Sequence, residues 1–419
     1  MDVALVRRLC TAEGAAALAA AAAVDPSVGP LVAATTLRGQ GIDAELASAA
    51  LTQTALRRSA VAKFGPHASA LLFTRPGLEQ ATRHVVADRR AARLAAGGVT
   101  RVADLGCGIG ADTLAFARAG LRVLAVDADP LTAAVAAANV AALGLADAVE
   151  VRHGDATTVD LSTVDGVFCD PARRDTARGQ RVFDPHASSP PWSFVAELPV
   201  RVPATVLKLA PGIDHALIPA GAEAQWVSVD GDVVEAALWH GPLAQAPRRA
   251  TVLRHTDDGG WRVAELTGDG RRQAPVGAAR RFVYDPDGAV VRSHLVAEFA
   301  STVDGSLADE HIAYVFADHA TATPLGTCLE ILTELPYGLK SLRAALRTED
   351  IGALEIRKRG VAVDPDRLRR DLRLSGSRTA TLILTRWGSR PVALLATRVA
   401  STGTGAGEHI PGTQADAVE

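Results

Sequence analysis

From Met1 to about residue 95, apolar Ala and Leu are interspersed with Arg and Glu, all strong helix formers. The stretch is punctuated at Asp25-Pro26, Gly29-Pro30, Gly39 to Gly41 and Gly65-Pro66, so it reads as a helical domain of several short elements. Ala15 to Val24 imitates the core of a signal peptide behind Arg7 and Arg8, but Glu13 interrupts its start and the composition favours a soluble Ala-rich helix. Thr74-Arg75-Pro76-Gly77 marks a helix start, with Thr74 as cap and Glu79 in the first turns. Gly77 to Ala96 then reads as one helix with a basic side formed by Arg83, Arg89, Arg90 and Arg93.

The texture changes at Val99. Apolar runs at 99–105, 121–126, 149–153, 164–169 and 205–209 predict strands, and 112–119 and 131–143 predict helices between them. Such alternation predicts a parallel sheet with helices on both faces over residues 96–255, with 225–240 and 249–254 as a closing antiparallel pair. Turn signals at 257–260, 268–270 and 285–288 suggest a β-rich insertion or connector over 256–330. Residues 331–400 predict a further small α/β unit: helices 339–347 and 365–374, strands 352–357, 380–385 and 391–397. The Gly/Thr/Ala-rich stretch 401–419 is expected to be a disordered tail. No fixed-period repeat occurs.

Composition narrows the class. At 419 residues with 48% hydrophobic and 22% charged, the chain is globular and long enough for two or three domains. Aromatics are only 4%, so its cores are built from Ala, Val and Leu. No apolar run reaches membrane-spanning length, so no membrane partner is expected. Cys10, Cys107, Cys169 and Cys328 lie far apart with no Cys-x-x-Cys pair, which points to a reducing cytoplasm and gives no zinc spacing. His67, His153, His186 and His311 form no metal spacing either, so no metal is expected.

The run Val102 to Asp112 carries the chemistry. A strand end, the glycines Gly106, Gly108 and Gly110, and a helix start form a backbone cradle that a ligand can approach without a side chain in the way. A dinucleotide fold wants Gly-x-Gly-x-x-Gly for a pyrophosphate. Here the spacing is Gly-x-Gly-x-Gly behind Asp104, and an acid at that place disfavours phosphate and favours a cation. S-adenosyl-L-methionine, with its ammonium and sulfonium, fits this electrostatics better than NAD. Asp127 closes the second strand about twenty residues beyond Gly106, where a carboxylate accepts ribose hydroxyls. Asp155 follows the third strand, placed for the adenine amino group. Glycine turns and strand-end acids are common singly in α/β proteins; three in register are not.

Val102 to Pro171 resembles the class I S-adenosylmethionine-dependent methyltransferases: 104–110 matches their first motif, and Asp127 and Asp155 match their ribose and adenine contacts. The resemblance implies a Rossmann-like sheet. Amine-directed members carry Asn/Asp/Ser-Pro-Pro-aromatic after the fourth strand; here Asp170 and Pro171 match, while Ala172 and Arg173 depart and the stacking aromatic is missing. An Arg plane both stacks on a base and pairs with phosphate, so Arg173 keeps nucleic acid in view. The sulfonium already activates the methyl group, so the site has to hold a lone pair in line at about 3 Å from it. Asp170 is cast as the acceptor that orients the nucleophile and stabilises its developing charge. Ser189-Pro190-Pro191-Trp192 imitates the missing motif about twenty residues too late and reads as a loop with a packed Trp, or an aromatic wall. Phe73 to Ala81 resembles the lead-in of trimethylguanosine-synthase-type cap methyltransferases, which implies cofactor contacts for Thr74 and Gln80; helix capping is the plainer role of Thr74.

Residues 337–398 hold 14 Lys/Arg against 6 Asp/Glu, whereas the whole chain has net charge −3. Such segregation is a footprint for phosphates, a solvated helix face being the bland alternative. Leu354 to Gly360 with Leu368, Leu372 and 381–384 resembles the THUMP-like domain at the carboxyl end of certain bacterial methyltransferases, whose fourth-strand motif 170–175 also resembles. The resemblance implies RNA. The expectation is therefore an α/β methyltransferase with a helical amino-terminal domain and a THUMP-like carboxyl-terminal domain, acting on a tRNA or rRNA base. A small-molecule methyltransferase and a non-catalytic RNA-binding protein are the alternatives.

Overall fold

In a computed structural model, which describes residues 1–173, 188–399 and 408–410, the amino-terminal stretch forms α1 (Val3–Leu9), α2 (Ala12–Ala23), α3 (Pro30–Gly39) and α4 (Ala44–Phe64). Their starts follow from capping: Asp2, Thr11 and Asp43 accept from backbone N–H groups of the second or third helical residues, and Pro30 occupies the first turn of α3. The Ala-rich helix α2 buries Ala17, Leu18 and Ala21.

The single helix expected over 77–96 is two helices, α5 (Arg75–Gln80) and α6 (His84–Ala96). Lys63 Nζ, reaching from α4, donates to the carbonyls of Leu78 and Glu79 and so satisfies the end of α5. Ala81 is extended, and the Thr82 hydroxyl turns inward to Asp112. Arg90, expected on an exposed basic side, is 2% exposed and paired with Asp112.

The alternating region follows as β1 (Arg101–Leu105), α7 (Ala111–Arg118), β2 (Arg122–Asp127), α8 (Pro130–Ala142), β3 (Val149–His153), β4 (Gly166–Cys169), α9 (Trp192–Arg201) and β5 (Thr205–Leu209). These strands pair in parallel in the order β5-β4-β1-β2-β3. The sheet is doubly wound, so its strands all end at one edge. Arg174, Asp175 and His186 lie outside the described residues.

Next come β6 (Glu223–Val229), β7 (Asp232–Trp239), β8 (Arg248–His255) and β9 (Trp261–Gly268). The strand at 249–254 is not antiparallel to 225–240 as expected. The passage through β7 brings the chain back in the same direction, so β8 runs parallel to β6 and its antiparallel partner is β9. The expected β-rich connector contains β10 (Phe282–Pro286) but also α10 (Gly288–Arg292), capped by Asp287, and α11 (Val296–Thr302).

The rest comprises β11 (Val315–Ala317), β12 (Gly326–Leu335), α12 (Leu339–Thr348), β13 (Ile351–Lys358), α13 (Pro365–Leu372), β14 (Arg378–Trp387), β15 (Arg390–Arg398) and β16 (Glu408–Ile410). A mixed sheet runs β11-β10-β12-β15-β14-β13. Leu382, Leu384, Ala393 and Leu395 cluster with Leu342, Leu346 and Leu372 of α12 and α13. Ile383, Val392, Leu394 and Ala396, of opposite parity, cluster with Ile312, Tyr314 and Phe316. Of the tail expected to be disordered, Glu408–Ile410 is a strand on β9, and the remainder lies outside the described residues.

Among the described residues the chain makes two compact units, 1–222 with 237–245, and 223–236 with 246–410. The division falls elsewhere than the expected boundaries at 95 and 255: the helical stretch and the parallel sheet share one unit, and most of β6–β9 belongs to the other.

Candidate functional site

The site is built at the ends of β1, β2, β3 and β4. The β1–β4 register sets Leu105 beside Cys169, so the next residues, Gly106 and Asp170, are neighbours as the chain leaves the sheet. Gly106 has φ +84°, and a Cβ there would stand 3.0 Å from the Asp170 carbonyl oxygen, so glycine is required on both counts. The bend is pinned by the N–H groups of Gly106 and Cys107, which both donate to the Val126 carbonyl at 2.9 and 3.0 Å. Gly108 N–H donates to Asp127 Oδ2 at 2.9 Å, and an added Cβ at Gly108 would meet nothing within 4 Å. Gly110, with φ +92°, turns the chain into α7.

Asp104, the last but one residue of β1, is fully buried. The Thr113 hydroxyl donates to its Oδ2, while Oδ1 is buried with no hydrogen-bond partner among the described residues. Burial, with the nearby charge of Asp112, pushes its carboxyl up to about 8. A desolvated carboxylate oxygen without a donor, beside an open glycine bend, is chemically fitted to an ammonium group, which would restore the ionised form. Asp112 itself is consumed locally: Arg90 and the Thr82 hydroxyl (2.7 Å) occupy its two oxygens, and the Arg90 guanidinium lies 4.6 Å over the Phe168 ring on β4.

Asp127 is held by two backbone donors, Gly108 N–H and Asp129 N–H, each at 2.9 Å, and burial raises its carboxyl above the usual range. Its fixed oxygens keep lone pairs for a diol. Asp155, two residues beyond the end of β3, is the exposed cap of the single helical turn Ala156–Thr158, accepting from Thr157 N–H and hydroxyl at 2.8 Å; these bonds lower its carboxyl. Thr74 accepts from Gly77 N–H at 3.1 Å and caps α5, and a Cβ on Gly77 would lie 2.5 Å from Ile109 of the glycine bend. Hence α5, which also contains Gln80, is packed directly on that bend.

Asp170 is ion-paired with Lys208 of β5, whose side chain is 14% exposed. Pro171 follows it, and the backbone of Arg173 pairs with Ser188; the Arg173 side chain lies outside what is described. Trp192 opens α9 and is half-buried. Three groups that the sequence did not flag thus belong to the site. Lys208 carried a signal, being one of four lysines in an Arg-rich chain and the lone charge in the strand Thr205–Leu209. Asn139 and Gln53 carried none. Asn139, fully buried on α8, receives Leu72 N–H (2.7 Å) and donates to the carbonyls of Leu72 and Ile109 (3.0 Å each). Gln53 bonds both backbone groups of Phe73, at 2.9 and 2.7 Å. Together they strap the segment before Thr74 to the glycine bend.

Family models match at residues 102–178 (methyltransferase domain), 326–398 (THUMP domain-like) and 2–60 (a domain of unknown function). Uncharacterized S-adenosylmethionine-dependent methyltransferases from two strains of Mycobacterium tuberculosis are each 37% identical over 347 residues, 80% of this chain and 92% of theirs. A 23S rRNA (uracil(1939)-C(5))-methyltransferase of Acidithiobacillus ferrooxidans is 33% identical over 121 residues, 27% of each chain. Among solved structures, a Porphyromonas gingivalis W83 protein provisionally assigned as a methyltransferase superposes with TM-score 0.70 at 18% identity, covering 96% of this chain and 99% of that one. The chain therefore belongs to the S-adenosylmethionine-dependent methyltransferases.

Proposed function

We propose that this methyltransferase acts on a base of a structured RNA, tRNA or rRNA. The observation that carries the proposal is the concentration of Lys and Arg in the THUMP-like segment of an otherwise acidic chain. The partial likeness to an rRNA uracil methyltransferase supports it. The four cysteines are free thiols, which suits a cytoplasmic setting; among the described residues no helix is long and apolar enough to cross a membrane.

In this proposal Asp104 receives the ammonium of S-adenosyl-L-methionine, Gly106, Gly108 and Gly110 admit it, Asp127 takes the ribose hydroxyls, Asp155 the adenine amino group, and α5 with Thr74 borders the cradle. The bound cofactor supplies an activated methyl group. Asp170, Pro171 and Arg173 face the target. Lys208 compensates the charge of Asp170 and fixes its Oδ2, so Asp170 works as a positioned acceptor for the nucleophile rather than as a strong base. Arg173 offers a plane to a base or a fork to phosphate.

Methyl-labelled cofactor incubated with total cellular RNA tests the proposal. Wild type labels RNA, and Asp170→Ala lowers labelling by about 100-fold or more. Label appearing in a metabolite pool while RNA stays unlabelled contradicts it.

A further inference from the structure

The cations of the THUMP-like segment divide into two sets. On and near the sheet, Arg357 and Arg359 share Asp285 at 2.8 Å, Arg386 meets Asp309 at 3.0 Å, and Arg390 meets Glu334 at 2.7 Å. These guanidiniums are already answered by carboxylates. On the helix side, Arg367 and Arg369 are also paired, with Asp371 and Asp366. Lys340, Arg343 and Arg347 are different. They stand three and four residues apart on α12, hence on one helical face, and among the described residues none has a carboxylate within ion-pair distance. Arg370 on α13 and Arg373, which ends it in the left-handed conformation at φ +50°, have none among them either, nor has Lys358 at the end of β13.

Three of these converge. Arg343, Arg347 and Arg373 line one cleft of about 60 Å³ between the carboxyl ends of α12 and α13, with Ser375 and Gly376 at its wall. Arg343 donates one Nη2–H to the Asp371 carbonyl, yet its Nε is buried with no hydrogen-bond partner among the described residues. Asp350 also lines the cleft, but it is engaged by the Ser377 hydroxyl and by the charge of Arg378. Three guanidiniums against one occupied carboxylate leave the cleft positive, and one of these guanidiniums keeps a buried N–H donor without an acceptor. Cations at helix ends do offset the helix dipole. That role needs no convergence of two helices on one cleft and leaves the Nε unexplained.

We propose that the α12–α13 face grips the RNA backbone, with one phosphate group seated among Arg343, Arg347 and Arg373 and Lys340 contacting a neighbouring phosphate. The inference rests on the RNA reading above and deepens it: the helix layer, not the arginine-rich sheet side, is the contact surface. A phosphate fits such a fork because its oxygens accept paired N–H donors.

The test measures binding of bulk tRNA and bulk rRNA to the full chain by fluorescence anisotropy across a salt series. A helix-face variant (Lys340→Ser, Arg347→Ser, Arg373→Gly) is compared with a sheet-side variant (Arg390→Ser, Arg398→Ser), and thermal melting followed by circular dichroism checks that both compact units of each are folded. The helix-face variant is expected to bind RNA at least about tenfold more weakly, with a salt slope lower by roughly two to three. The sheet-side variant stays within about twofold of wild type, and both melt as wild type does. RNA binding that the helix-face variant retains and the sheet-side variant loses overturns this inference alone. Wild type that binds neither RNA pool overturns the RNA reading and this inference with it.

Discussion

At the scale of single residues, the site depends on where a carboxylate is denied its usual partners. Asp104 is wholly buried, one oxygen satisfied by Thr113 and the other unsatisfied, with its carboxyl pushed up to about 8. Without cofactor the group is therefore mostly protonated near pH 7, and an arriving ammonium favours the ionised form. Binding of S-adenosyl-L-methionine at pH 7 should release up to about one proton, read by calorimetry in buffers of different ionisation enthalpy. Affinity should rise with pH and level off above about 8. Asp104→Asn should abolish both effects and weaken binding by about tenfold or more. The stability of the free protein runs the opposite way. The folded state holds a proton on Asp104 that the unfolded chain loses near the ordinary carboxylate range, so this group's stabilising contribution is present at low pH and is lost from about pH 4 to about pH 8. Melting temperatures of wild type that fall no faster over that window than those of Asp104→Asn contradict the account. That Asp104 sits at a strand end beside the glycine bend was legible from 104–110 alone; its complete burial was not, because that depends on the helices packed over it. Lys208 was not, since its pairing with Asp170 depends on β5 lying beside β4.

At the scale of elements, the cradle is held by side chains that mimic strand partners. Asn139 satisfies Leu72 on both backbone groups and also the Ile109 carbonyl, and Gln53 does the same for Phe73. Asn139→Leu removes these partners at about the same volume and strands buried backbone groups. Denaturant unfolding should then show a loss of about 2–4 kcal/mol, and cofactor affinity should fall as α5 loosens on the glycine bend. Unchanged stability and affinity would show that the strap carries no load. Local pattern predicted β1–β5 with α7 and α8 within a few residues, because strand and helix periods differ sharply there, but it did not offer α9. It missed the break between α5 and α6. The cause is tertiary: Thr82 and Arg90 turn inward to Asp112, and Lys63 caps the end of α5, none of which an Arg-rich helix pattern reveals. Likewise β8 runs parallel to β6 because the chain passes through β7 first, an order that short-range signals do not encode.

For the whole molecule, charge is the informative quantity. A chain of net charge −3 gives no reason for nucleic acid until the segment 337–398 is counted by itself. That arithmetic was available from sequence; which of its cations remain without carboxylates was not, because Asp285 and Asp309 lie well before the segment they neutralise. The family identifies the methyl donor, and the charge distribution argues for the acceptor. The most direct check is mass spectrometry of nucleosides from total tRNA and rRNA of a strain lacking this protein, complemented with wild type or with Asp170→Ala. The account predicts one methylated nucleoside that disappears on deletion, returns with wild type and stays absent with Asp170→Ala. Nucleoside profiles that are identical in all strains would contradict it.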